Sequence, residues 1–379
     1  MPSTQRIRMD VQTHFENLTD PRRREPTYPL INIVVMAMCA VICGADDFVA
    51  MARWARTKKD YLAKFLDMSS GVPSHDRFNA IFSALRPAEF EQCLLSWITA
   101  LHEITNGQIV AIDGKTLRRS YDKASSKSAI HMVSAWASAN NISLGQVVVD
   151  DKSNEITAIP KLLELIEISG SIVTIDAMGC QTEIAEQIVA GGADYCLAVK
   201  KNQPTLYTEI EDHFEMLIEN DFRDVKVRDT STHEKGHGRE EDRYYYICPV
   251  PASVTDASRW KKVKAIGMVA SVTQRDGQEQ TSIRYYLLSK YLSAGRFAEA
   301  VRSHWSVENN LHWQLDVTFC EDQCRVRIGH ADTNLSIVRR TVLSLLKNEQ
   351  TAKVGVKNKR LTAAWDEGYL TKVLFQSKL

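Results

Sequence analysis

Three acidic residues stand where carboxylates could be gathered for metal-assisted chemistry at phosphorus. Asp113 closes the apolar run Ile109-Val110-Ala111-Ile112, Asp176 closes Ile172-Val173-Thr174-Ile175, and Glu308 falls in a helical stretch from Arg302 to Trp313. Two carboxylates at strand ends and a third on a helix can converge in space although they lie far apart along the chain. Hard divalent cations take oxygen ligands, and a pair of them clamps the attacking and leaving oxygens of an in-line displacement. Nucleic acid is the substrate class such a site implies.

Each acid taken alone also has a bland reading. Asp113-Gly114 after an apolar run is a turn signal. Asp176 could simply cap the helix that follows, and Glu308 could be a solvated helix charge. The pair Asp316 and Glu321-Asp322 rivals Glu308 as the third ligand. Lys115, Arg118 and Arg119 directly follow the first acid and are candidates for phosphate contact, against the alternative of a solvated loop. Lys200 and Asn202 lie just past a strand near the expected rim. His237-Gly-Arg239 has the shape of a turn that either clamps a ligand or connects strands. Trp305 and Trp313 are eight residues apart in sequence, which favours core packing over base stacking.

The elements that must position these residues fall into blocks. The first hundred residues read as helical: Leu30 to Cys43 stopped by Gly44, Asp46 capping Asp47 to Leu66, Ser74 capping His75 to Leu85, and Pro87 opening a helix to about Ile104. This block is either a packed accessory bundle or a helix-turn-helix with His75, Arg77 and Asn79 facing bases. From Gln108 the runs turn β-branched: Ile109–Ile112, His131–Ala137, Leu144–Val149, Ile172–Ile175 and Tyr195–Val199. Helices at about Ile159–Ile168 and Gln181–Ala190 sit among them. Three strands, helix, strand, helix, strand is the order of a ribonuclease-H-like sheet.

A polar helix over Pro204–Glu219 and strand-like runs at Val225–Arg228, Arg243–Cys248, Val263–Ser271 and Ile283–Ser289 separate that sheet from Glu308. Leu335, Val338, Val342 and Leu345 then mark a closing amphipathic helix. The expected fold is therefore α/β, a ribonuclease-H-like mixed sheet with a β-rich insertion, preceded by an N-terminal helical domain. Its boundaries are 1–104 for the helical domain, 105–200 for the first part of the core, 201–291 for the insertion and 292–379 for the closing helices.

Composition fits this picture. Hydrophobic and charged fractions of 44% and 25% belong to a globular chain. The most apolar segment, Ile33 to Ala45, falls short of the roughly 20 residues that cross a bilayer, so a cytoplasmic protein is expected. Eight cysteines in apolar contexts suit free thiols; Cys320, Cys324, His312 and His330 match no compact zinc module. A net charge of zero counts against a simple basic DNA-binding domain. Local runs answer that in part: Lys115, Arg118, Arg119, Lys123 and Lys127 stand against Asp122, and nine basic residues between Gln323 and Arg360 stand against Asp332 and Glu349.

The strings Ala111-Ile-Asp-Gly-Lys-Thr-Leu-Arg118, Lys152-Ser-Asn-Glu-Ile-Thr-Ala-Ile-Pro160, Ile175-Asp-Ala-Met-Gly-Cys-Gln181, His237-Gly-Arg-Glu240, His304-Trp-Ser-Val-Glu-Asn309 and Leu311-His-Trp313 resemble the H-repeat-associated DDE transposases of insertion sequences. The likeness runs from about residue 10 to the C-terminal region. It implies a ribonuclease-H-like core, Mg²⁺ dependence with Mn²⁺ as a substitute, and cutting and joining of double-stranded DNA at insertion-sequence ends. A homodimer assembled on DNA and nucleoid association when bound would follow. The family's acidic triad falls on Asp113, Asp176 and Glu308, as catalytic and metal-binding residues. Related transposases carry Tyr, Arg and Lys around the glutamate, but here Val301, His304 and Leu315 occupy those positions. Arg302, His304 and His312 are the substitutes expected to hold DNA, together with Lys115, Arg118, Arg119, Lys200 and Arg239. The alternatives are a decayed or domesticated copy that binds DNA without transposing, and a metal-free hydrolase with paired carboxylates.

Overall fold

The structure is a computed structural model and describes residues 12–101, 108–118, 120, 129–149, 154–223, 226–236, 238–275 and 277–375. Arg119, Asp122, Lys123, Lys127, Lys152 and His237 lie outside the described residues.

The helical block comprises α1 (Leu30–Ile42), α2 (Phe48–Thr57), the single turn α3 (Lys59–Leu62), α4 (His75–Ala84) and α5 (Pro87–Leu101). The continuous helix expected from Asp47 to Leu66 breaks after Thr57. Its N-cap is Asp47, whose side chain accepts from the Ala50 amide at 2.8 Å, and not Asp46. Asp46 is occupied elsewhere, on Arg360. Ser74 caps α4 as its sequence suggests, accepting from the Arg77 amide.

The sheet follows. Strands β1 (Ile109–Thr116), β2 (His131–Ala137) and β3 (Ile142–Val149) form an antiparallel meander. Helix α6 (Glu155–Leu165) leads to β4 (Ile172–Ile175), and α7 (Thr182–Ala190) to β5 (Asp194–Val199), both strands parallel to β1. Helical crossovers of this kind place the chain on the faces of the sheet, so β1 and β4 are apolar on both sides. This is the expected ribonuclease-H-like core.

The insertion continues the same sheet. After α8 (Pro204–Glu219) come β6 (Arg228–Gly236), β7 (Arg239–Pro249), β8 (Ala265–Arg275) and β9 (Gln278–Leu288). Because β9 pairs antiparallel with β5, one nine-stranded sheet runs in the order β3-β2-β1-β4-β5-β9-β8-β7-β6. The strands are longer than their apolar cores predict, and β6 starts where the expected run Val225–Arg228 ends. Its sequence is polar because it is the sheet edge, exposed along most of its length.

Helix α9 (Ala294–Val307) lies across β1, β4, β6 and β7. It can come close because Gly267 leaves room for the Phe297 ring, which a Cβ there would strike. A wide π-helical turn, Glu308–His312, joins α9 to α10 (Trp313–Val317). Helix α11 (Ala331–Asn348) then packs against α1, α4, α5 and β3, and α12 (Val356–Trp365) and α13 (Glu367–Phe375) close on α1 and α11. Among the described residues no helix is long and apolar enough to cross a membrane.

Helix α11 is not the amphipathic surface helix its leucine and valine spacing suggests. Nearly every position is buried, including Arg339 and Arg340. Four of the nine basic residues between Gln323 and Arg360 are therefore internal, Arg339, Arg340, Lys359 and Arg360, while Arg325, Lys353 and Lys357 are exposed. Arg340 faces Glu321, and Lys359 and Arg360 serve as helix-end donors. Lys359 donates to the Leu346 and Glu349 carbonyls at the end of α11. Arg360 donates to the Val41 carbonyl at the end of α1 and to Asp46 Oδ1 at 2.6 Å, with its guanidinium 4.2 Å from the Phe319 ring. Orphan carbonyls at a buried helix end need such partners.

Replacing Arg360 with Met would leave both the α1 terminus and the Asp46 carboxylate without their cation. We expect Arg360→Met to lower the unfolding free energy by about 3–5 kcal/mol, measured by denaturant titration of the full chain.

Candidate active site

The face of β1 that carries the chemistry is set by strand alternation. Ile109, Ala111, Asp113 and Lys115 share one face, since side chains two apart point the same way. Ile109 belongs to the apolar cluster under α9 with Phe297, Ala300 and Val301. The other face meets α6: a Cβ on Gly114 would run into Glu155 and His131, which pair at 2.7 Å. So Asp113-Gly114 is not a turn. The strand continues through it to Thr116, and the glycine admits the Glu155–His131 pair.

Asp176 stands on the neighbouring strand. Ile112 pairs with Ile175 in parallel register, so the residues that follow, Asp113 and Asp176, leave adjacent strands side by side, about 4.8 Å apart in the pairing direction. Asp176 also caps the short turn Ala177–Gly179, its Oδ1 accepting from the Met178 amide at 3.1 Å and the Gly179 amide at 3.4 Å. Two side chains brace that turn: Asn202 donates to the Ala177 carbonyl at 2.7 Å and Gln203 to the Cys180 carbonyl at 2.9 Å. Asn202 was a candidate rim residue; its contact shows it holding the Asp176 loop. Gln203 gave no signal in the sequence.

Glu308 opens the π turn, with its side chain 63% exposed. The turn keeps Glu308 and His312 on one side, and His312 Nδ1 stands 3.3 Å from Glu308 Oε2 and 3.5 Å from Asp113 Oδ2. Ligand-capable atoms of Asp113, Glu308 and His312 all lie within 4.8 Å of one another. Asp176 flanks this cluster from the next strand. Cys320 and Cys324 are free thiols, and among the described residues they join no group of metal-binding side chains.

The electrostatics of the two nearest acids differ. Burial pushes the Asp113 carboxyl up to about 6; His312 and the Gly114 amide pull it back, while Asp176 and Glu155 add to the rise. Glu308 is held below its ordinary value, chiefly by its hydrogen bond with His312. Asp113 is thus an acid short of positive charge. His304, also in this region, approaches Thr174 Oγ1 at 3.4 Å, and burial holds its pKa low while Asp176 partly restores it. Its side chain is half-buried.

Lys115 is turned inward as well. It is buried, and its Nζ contacts Asp316 at 2.5 Å, Glu321 at 3.5 Å and Asp322 at 3.5 Å. The acids that rivalled Glu308 therefore bind a lysine. Asp316 follows Glu308 on the next helical segment and Glu321 and Asp322 lie in a short turn beyond it, so Lys115 fastens the strand of Asp113 to the chain that follows Glu308. Arg118 is exposed and 3.4 Å from Asp322, and Lys200 is exposed.

Arg239 and Arg302 line a groove of about 390 Å³ between the sheet extension and α9, with Arg243, Arg284, Trp305 and Asn309. Arg239 pairs with Glu241, and Arg302 with Glu234. The Arg284 guanidinium lies 4.6 Å over the Trp305 ring. Trp305 and Trp313 are each 51% exposed, contrary to the core packing their spacing favours. The buried positions are Leu311 and His312 in the π turn and Leu315 in the helix after it. Arg243 and Arg284 went unremarked in the sequence, where each is one basic residue in a polar strand end.

An acid within β1, a second just past the paired parallel strand and a third where a crossing helix ends, all on a ribonuclease-H-like sheet, are the arrangement of a carboxylate-based phosphoryl-transfer enzyme. The comparisons agree. Residues 105–345 match the family described as "Transposase DDE domain", and residues 12–98 match the region described as "DDE_Tnp_1-associated". The chain is 38% identical over 372 residues to the H repeat-associated putative transposase YhhI of Escherichia coli K12, covering 97% of this chain and 98% of that one. It is 41% identical over 351 residues to the putative transposase YncI of Escherichia coli O157:H7, covering 92% and 89%. The chain belongs to the DDE transposase family and is an enzyme of that class.

If Lys115 clamps strand to helix, Lys115→Met should cost about 3–5 kcal/mol of stability, the usual penalty for stripping one partner from buried charges. The salt dependence of DNA binding should not change. A reduced salt slope with unchanged stability would return Lys115 to a phosphate-contacting role.

Proposed function

We propose that the protein cleaves and rejoins double-stranded DNA at insertion-sequence ends, with Mg²⁺ as its natural cation and Mn²⁺ as a substitute. The observation that supports this reading is the cluster of Asp113, Glu308 and His312, whose ligand atoms lie within 4.8 Å of one another, with Asp176 following the strand paired beside Asp113. Hard oxygen donors suit such cations, and the raised Asp113 carboxyl is what a site awaiting positive charge would have. Asp113 would serve both cations, Asp176 one and Glu308 the other. Bound there, the ions supply the Lewis acidity that activates water or a 3′-hydroxyl and steadies the leaving oxygen.

The remaining residues orient. Asn202 and Gln203 fix the loop of Asp176, and Lys115 fixes the helix of Glu308. Arg239, Arg243, Arg284 and Arg302, with Lys200 and Arg118 nearer the acids, would hold DNA phosphates along the groove beside α9. Acting on two DNA ends calls for two copies brought together on the nucleic acid, and DNA-bound protein would be associated with the nucleoid.

Two measurements test this. Asp113→Asn should abolish cleavage of terminal-repeat DNA in Mg²⁺ while leaving DNA binding intact; full cleavage by the variant would refute the assignment. Binding without cleavage by the unaltered protein, in Mg²⁺ as in EDTA, would instead favour a copy that only binds DNA. The same variant should melt at a higher temperature than the parent in EDTA at pH 8. A buried acid whose folded pKa is raised to about 6 favours the fold below its unfolded pKa and loses that contribution as pH rises through 6. Removing the charge recovers on the order of 2–3 kcal/mol.

Arg284→Gln tests the groove. Arg284 stacks on Trp305 at the surface, so its loss should weaken DNA binding across sequences and reduce the log–log salt slope by about one.

A further inference from the structure

The histidine in the acid cluster calls for its own account. His312 is only 4% exposed, and its Nδ1 faces carboxylate oxygens from two different elements at 3.3 and 3.5 Å. Its Nε2 is buried with no hydrogen-bond partner. The ring is therefore committed to the acids by its setting. Those two Nδ1 separations are close to the roughly 3.0–3.4 Å between ligand atoms around a small divalent ion with bonds of about 2.1 Å, and ligand atoms of all three residues lie within 4.8 Å of one another. Glu308 and His312, four residues apart, stand on the same side of a π turn, and such turns concentrate at functional sites.

We propose that His312 is a nitrogen ligand of the cation shared by Asp113 and Glu308, so that one of the two metal positions is a mixed oxygen–nitrogen site. This rests on the proposed metal centre and deepens it. Imidazole is a softer donor than carboxylate, and nitrogen ligation raises affinity along the series that favours the transition metals over Mg²⁺. The site should therefore bind Mn²⁺ more tightly, relative to Mg²⁺, than three carboxylates alone would. The competing role for His312 is that of a plain positive charge that holds the acids together and withdraws when a cation enters.

The test uses the full chain, stripped with EDTA and loaded with one equivalent of Mn²⁺. Pulsed electron paramagnetic resonance reads directly whether a nitrogen-14 nucleus is bonded to the ion. Nitrogen coupling is expected in the parent protein and in His304→Gln, and should vanish in His312→Gln. Mn²⁺ affinity should fall at least tenfold in that variant, since loss of even an outer partner of a metal ligand costs about 10–100-fold, and Mg²⁺ affinity should fall less. Bound Mn²⁺ that Asp113→Asn releases, but without nitrogen coupling in the parent, would overturn this inference and leave the carboxylate site standing. Coupling that disappears in His304→Gln instead would overturn it too. No Mn²⁺ binding at all would overturn the metal centre itself. The parent spectrum decides even if His312→Gln fails to fold.

Discussion

The chemistry of this protein depends on the register between one strand and one helix. Strand β1 presents Asp113 and Lys115 on a single face, about 6.7 Å apart along its axis. The helical segment beside it presents Glu308, His312 and Asp316 at intervals of four residues through the π turn and α10. The two ladders therefore meet twice: His312 on Asp113, and Lys115 on Asp316. A slip of one residue in β1 would turn Asp113 to the opposite face and Gly114 toward the helix. Lys115 makes the slip costly, because its three carboxylate partners are reachable from one register only.

The sheet extension belongs to the same construction. Because β9 pairs with β5, the insertion prolongs the sheet surface that carries the acids. Helix α9 rests on the old and new halves together, with Phe297 seated over Gly267. The groove holding Arg239, Arg284 and Arg302 therefore runs directly into the end of α9, where Glu308 stands. A groove and an acidic centre built on one sheet need no domain movement to be aligned.

How much of this the sequence disclosed follows from what makes each signal local. The core strands were readable because β-branched runs are short-range patterns, and the order of strands and helices then constrains the topology. The edge strand β6 was misplaced because solvent on one side removes its hydrophobic alternation. The π turn has no composition of its own, and without it the exposure of Trp305 and Trp313 could not be foreseen. Lys115, Arg339, Arg340 and Arg360 were read as surface charge because burial of a base depends on partners remote in the chain. Lys115 meets acids some two hundred residues away, and Arg360 caps a helix more than three hundred residues earlier.

A net charge of zero is compatible with a polyanionic partner once the pairing of the groove is considered. Arg302 and Arg243 pair with Glu234, a side chain open to solvent, while Arg239 and Arg243 also pair with Glu241, which is buried. A pair as exposed as Arg302–Glu234 is worth about 0–1 kcal/mol, so a phosphate can take over that guanidinium from its carboxylate at small cost. Glu234, once displaced, faces water, and its repulsion disfavours any phosphate that fails to seat on the arginines. The deep basic residues offer no such exchange, because their partners are backbone carbonyls and buried acids. Charge that holds the fold and charge available to DNA are thus separated by burial, a distinction that a sum over the sequence does not contain.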